Sequence, residues 1–161
     1  MGCLTVLPGG VSTAEVATAF GTEEPERCAS VQDALDNGRS PLAVVEADTF
    51  TVTIEFVTAH GARAETLSNL SALAQRAGSI SWDANSYTVL GLASRGRVLF
   101  RERVLHHPRD VDEQVAPVFA GLDLGDARFW QTNCIIAIER FVGVRLSDHG
   151  PLDPRDFYAL G

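Results

Sequence analysis

The sequence predicts an α+β domain: an antiparallel sheet of about five or six strands, arranged as a meander, with helices packed mainly on one face. Three observations lead there. Phe50, Val52, Ile54 and Phe56 alternate with Thr51, Thr53 and Glu55, the period-two pattern of a sheet buried on one side. Leu67, Leu70, Leu73, Ala74 and Ala77 then recur at helical spacing. Finally "SISWD", "YTVLGLA" and "RVLFRERV" follow one another, joined at Asp83 to Ser86 and at Ser94 to Gly96 by turn-forming residues.

Taken in order, "CLTVL" reads as a first strand stopped by Pro8, Gly9 and Gly10. A helix is expected next, because Ser12 and Glu15 have the spacing of a capping box; Val16, Ala19 and Phe20 share a face and Gly21 ends the run. "SVQDALDN" predicts a second short helix capped by Ser30 and stopped at Asn37-Gly38. "LAVVE" forms a hairpin with the alternating strand across a tight turn at Ala47 to Thr49. The leucine-rich helix is placed at residues 63 to 77, closed by Gly78. Beyond Pro108 the chain turns acidic and helical, with an interruption at Pro117. A last helix spans 126 to 142, with Asp126 as its cap, Trp130, Cys134, Ala137, Ile138 and Phe141 on one side, and Gly143 at its end. This helix and the 63 to 77 helix are expected on the same face of the sheet. The tail is turn-rich, with Leu152, Phe157 and Tyr158 tacking it down.

Composition narrows the function. At 161 residues, with 45% hydrophobic and 21% charged residues, the chain fits one globular domain over 1 to 161. No segment reaches the ~20 apolar residues that span a bilayer, so no membrane association is expected. "MGCLTVLPGG" has neither the basic start nor the apolar run of a signal peptide, and Val6 stands where a myristoylation motif wants Ser or Thr. Three cysteines, without CxxC spacing, suggest neither a disulfide framework nor zinc, and a cytoplasmic location follows. The net charge of −8 disfavours nucleic acid as a partner. All 13 basic residues are arginine, a bias that points to a GC-rich genome.

The order Glu65-x-Leu67, Leu70-Ser71, Gly78, then "SISWDANSYTVLGLASRGRVL" and "GVRLS" at 143 to 147 resembles a family of short actinomycete proteins catalogued only as a domain of unknown function. The resemblance covers roughly residues 2 to 148 and rests mainly on Trp82, Asn85, Tyr87, Gly96 and Gly143 to Leu146. It implies one intact domain and an actinomycete source, and it carries over no catalytic residue or ligand.

The candidate chemistry is sparse. His106 and His107, near Asp110, Asp112 and Glu113, point to opposite sides of an extended segment, and Pro108 prevents helical pairing, so a solvated loop is expected rather than a metal site. Cys134, among Ile135, Ile136 and Ile138, reads as an inert core thiol. Glu46, Asp48 and Glu55 read as a water-facing trio. "RAGSIS" lacks the helix start that cradles phosphate, and no GxSxG, P-loop, Rossmann or HExxH pattern occurs. No catalytic residue, metal or cofactor is therefore expected.

Six residues are candidates for partner binding. Strand alternation sends Arg97, Leu99, Arg101 and Arg103 to one face and Val98, Phe100, Glu102 and Val104 to the other. That arginine row is either a solvated face, paired with Thr51, Thr53 and Glu55 or with the acids of 110 to 113, or a recognition strip for carboxylate or phosphate. Trp82, Asn85 and Tyr87 surround one hairpin turn. Either Trp82 joins Ile80 in the core while Asn85 shapes the turn, or the aromatic pair forms a recognition rim. The expectation is a non-catalytic protein-binding accessory module of the immunity, inhibitor or chaperone-like kind. The alternative is a small-molecule-binding protein or enzyme with a pocket between sheet and helices.

Overall fold

The computed structural model describes residues 1–21, 26–85, 87–104, 111–149 and 156–160. The predicted His106, His107, Pro108, Asp110 and Leu152 features, and Ser86 of the hairpin turn, lie outside the described residues.

The first strand, β1 (Gly2–Pro8), leads into α1 (Thr13–Ala19), where the Ser12–Glu15 capping box forms in both directions: Glu15 N donates to Ser12 Oγ and Ser12 N to Glu15 Oε2. A short strand β2 (Glu26–Cys28) precedes α2 (Val31–Asp36), which Ser30 caps as expected. Then come β3 (Ser40–Glu46), β4 (Phe50–Glu55), a 3-10 turn at His60–Ala62, α3 (Ala64–Ala74), β5 (Arg76–Trp82), β6 (Thr88–Ser94) and β7 (Arg97–Arg103). A 3-10 turn at Ala116–Phe119, α4 (Trp130–Val142), a 3-10 turn at Leu146–His149 and β8 (Asp156–Leu160) complete the chain.

Among the described residues, eight strands form one antiparallel sheet in the order β2-β8-β3-β4-β1-β5-β6-β7. The expectation of five or six strands was too low by β2 and β8. Both are short; β2 pairs with β8, and β8 in turn with β3, across long sequence separations, for example Glu26↔Ala159 and Leu42↔Tyr158. Only β5, β6 and β7 follow one another as a simple meander; β1 lies between β4 and β5.

The helices do not share a face. Leu67 and Leu70 of α3 pack with α1, Leu7, Leu42, Val44 and Tyr158 on one side. Cys134, Ile138 and Phe141 of α4 pack with Val6, Val52, Leu90 and Phe100 on the other. The central strands supply apolar side chains to both sides, as in a sheet covered twice: Val6 belongs to one cluster and Leu7 to the other. Two glycines set the approach distances. A Cβ on Gly78 would lie 2.9 Å from Ile138 of α4, and one on Gly91 would lie 2.5 Å from Leu67 of α3.

Three boundaries differ from expectation. Gln75, at φ 68°, ends α3 at Ala74, so Ala77 and Gly78 belong to β5 and Leu73 is left largely exposed. α4 begins at Trp130; Asp126 O receives Phe129 N and Trp130 N in the turn before it. Phe56, read as the end of the buried alternation, lies past β4 and is exposed.

Candidate functional site

The arginine strand is interrupted. Leu92 pairs with Phe100 but Ala93 pairs with Val98, which leaves Leu99 as the extra residue of a β-bulge. Past such a bulge alternation restarts out of phase. Val98 packs against the α3-side cluster while Leu99 and Phe100 belong to the α4 side. Arg101 and Arg103, paired opposite Gly91 and Val89, face the α3 side. Arg97 is separated from them and meets Asp112 at 3.5 Å, an exposed ion pair of small energetic weight. The predicted single row of Arg97, Leu99, Arg101 and Arg103 is thus corrected.

Beyond the break, at the end of β7, a corner forms. Arg103 lays its guanidinium 4.7 Å from the centre of the Tyr87 ring, and Tyr87 is 49% exposed. Arg101 Nε donates to Ala62 O at 2.7 Å, tying β7 to the 60–62 turn. That turn is held from below by Glu55, only 1% exposed, whose carboxylate accepts from Thr58 Oγ1, His60 N and Gly61 N, each at 2.7 Å. Glu55 is therefore buried, not water-facing, whereas Glu46 and Asp48 are exposed as read. Thr51 and Thr53 are buried too, because the α3 layer covers their face of β4; they offer the arginines no partner.

The β5–β6 turn is shaped by Asp83, whose Oδ1 accepts from Asn85 N and Tyr87 N, both at 2.8 Å. Asn85 sits in this turn as expected, exposed. Trp82 is not a core residue: Ile80 is buried, but Trp82 is 39% exposed and covers Gly2. The structure thus joins Tyr87 with Arg103, puts Arg101 on the same face of β7 but ties it to the 60–62 turn, sets Trp82 and Asn85 at the same end of the sheet, and puts Arg97 elsewhere.

Nucleophiles and metal ligands are weak contenders. Cys134 is buried, and burial pushes its thiol up to about 12. Cys3 is pushed well up by burial and then by the Glu55 charge. Burial likewise raises Cys28. Among the described residues, no group of three or more His, Cys, Asp or Glu side chains is placed to hold a metal ion. No described helix is long and apolar enough to cross a membrane.

Several clefts open on the surface. One of ≈ 410 Å³ lies between the end of α1 and the start of α3, lined by His60, Arg63, Glu65, Thr66 and Asn69 over Phe20. Burial, then the Arg63 charge, lowers the His60 pKa from its ordinary value. A wider one of ≈ 730 Å³ runs beside the end of α4, past Glu139, Arg140 and Arg145. Comparison with known proteins finds no matching family model, curated protein or solved structure.

Proposed function

We propose that the chain is a non-catalytic protein-binding accessory module, which acts by occupying a partner as immunity, inhibitor or chaperone-like proteins do, and that Tyr87 and Arg103 form the centre of its contact surface. The carrying observation is the stack of Arg103, on the edge strand β7, over Tyr87 just before β6. Tyrosine, tryptophan and arginine supply a large share of interface energy, and a guanidinium already held over a ring loses little freedom on binding. Arg101, anchored to Ala62, stiffens the same corner. A bulge and the run Arg101-Glu102-Arg103 blunt the β7 edge, so side chains rather than strand addition make the contact. The partner presents carboxylates to these arginines, the surface a planar bidentate donor fits. Three free cysteines support placing this activity in a reducing cytoplasm.

The test begins with a partner recovered by affinity capture and purified, whose binding to the wild type and to the Tyr87→Ala/Arg103→Glu double variant is compared by calorimetry. The expected result is at least a tenfold loss of affinity with an unchanged circular dichroism spectrum, the size reported when an anchor residue is removed. Affinity retained within twofold by the folded variant would remove this corner from the interface.

A further inference from the structure

The other end of β7 carries a second basic feature. The β6–β7 hairpin turns through Arg95 and Gly96, at φ 51° and 79°, between the paired Ser94 and Arg97. Two positive φ angles in a two-residue loop define a type I′ turn, whose first position favours Asn, Asp or Gly. Arginine there costs stability, because its Cβ crowds the backbone in the left-handed region. The preceding turn also holds a non-glycine residue at positive φ: Gln75 sits at φ 68°, ψ −34°. The two touch, since Gln75 O accepts from Arg95 N at 2.9 Å and from Ser94 Oγ at 3.1 Å.

These residues line two adjoining clefts of ≈ 260 and ≈ 300 Å³, which share Arg76, Ser94 and Gln114 as walls. Arg95 lines the first and Arg140 the second. Among the described residues, neither has an acidic side chain in its lining, although the chain carries a net charge of −8. The nearby Asp112 is engaged by Arg97. Two of the three guanidiniums are fixed by backbone oxygens through a single nitrogen. Arg76 Nη1 donates to Phe141 O at 2.7 Å, with its guanidinium 5.7 Å from the Phe141 ring centre, and Arg140 Nη1 donates to Val118 O and Ala120 O. A guanidinium carries five N–H donors, so each arginine so positioned has donors left over.

We infer that this double cleft binds a small polyanion, a molecule carrying phosphate or several carboxylates, with Arg76, Arg95 and Arg140 as its charge-matching ligands and Gln75, Ser94 and Gln114 as polar walls. Positive charge is gathered in clefts whose described lining includes no acid, and a side chain unfavourable to its own turn contributes to it. Backbone strain of this kind is typical of binding sites, where a residue is kept for what it contacts rather than for the stability it gives. The site stands apart from the Tyr87–Arg103 corner, at the opposite end of the same strand.

The test uses the full chain and three probes, inorganic phosphate, pyrophosphate and citrate, titrated calorimetrically at one fixed ionic strength set with chloride. The wild type is compared with Arg95→Asn, which preserves the turn and removes the charge. The expected result has two parts. Pyrophosphate or citrate gives saturable binding that weakens at least tenfold in Arg95→Asn, and that variant, without any probe, melts at a higher temperature than the wild type. Preference for pyrophosphate over citrate assigns the site to phosphate, and the reverse assigns it to carboxylates. Heats indistinguishable from dilution with all three probes, or equal affinity in the two proteins, would overturn the inference. Arg95→Asn leaves Tyr87 and Arg103 in place, so loss of protein-partner binding by the Tyr87→Ala/Arg103→Glu protein reports on the other site only.

Discussion

Glu55 occupies the position in which a carboxylate is hardest to replace. It is buried, and one oxygen receives both Thr58 Oγ1 and His60 N while the other receives Gly61 N. Glutamine has the same shape but presents an amide donor where an acceptor is needed, so a buried N–H faces another N–H. Leaving a buried donor unpaired costs about 1–3 kcal/mol, and Glu55→Gln is expected to lower unfolding stability by that amount in urea titration. An unchanged urea midpoint would show that the 58–61 segment holds itself. This role was hidden in the sequence, where Thr51, Thr53 and Glu55 carry the alternation of a wet strand face. Alternation reports which face is polar; it does not report that another layer covers that face. The buried hydroxyls of Thr51, Thr53, Ser79 and Thr88 find no hydrogen-bond partner among the described residues, so they look like surface residues in every local sense. The aromatic–arginine corner was half legible for a related reason. Each of its residues could be singled out, but the pairing of Tyr87 with Arg103 depends on the Leu92/Ala93 register shift.

At the level of elements, local signals were read well and phase signals less so. The capping box of α1, the Ser30 cap of α2, the stops of both helices, the β3–β4 hairpin and the end of α4 at Gly143, φ 84°, each rest on a few adjacent residues, and each formed as the sequence suggested. α3 was drawn too long because Ala77 continues the helical period after Gln75 has broken the helix. The assignment of α3 and α4 to one face failed because a helix's own stripe does not reveal which side of a doubly covered sheet it meets. That arrangement makes Ile138 a critical contact, since it seats α4 against the bare backbone of Gly78. Ile138→Ala is expected to cost ~2–5 kcal/mol through lost burial and an unfilled cavity, read as a fall in melting temperature. A cost below 1 kcal/mol would mean that α4 is only loosely seated.

For the molecule as a whole, the decisive feature is the place of β8. It pairs with β3 on one side and β2 on the other, so it is an inner strand of the sheet although its partners precede it by most of the chain. Its arrival is therefore a matter of timing. On a ribosome, β1, β3 and β4 are available early, but β3 keeps a bare row of amides and carbonyls until residues 156–160 emerge, and such an edge recruits other chains. In pulse-labelled refolding, the amides shared by β4, β1, β5 and β6 are expected to be protected first and those of β2 and β8 last, with losses to aggregation rising with protein concentration. Simultaneous protection of all eight strands would instead mean that the distant pairings form with the core. The same geometry gives the sheet a single latch, and until that latch closes every new copy passes through a sticky adolescence in which a neighbour's strand competes with its own.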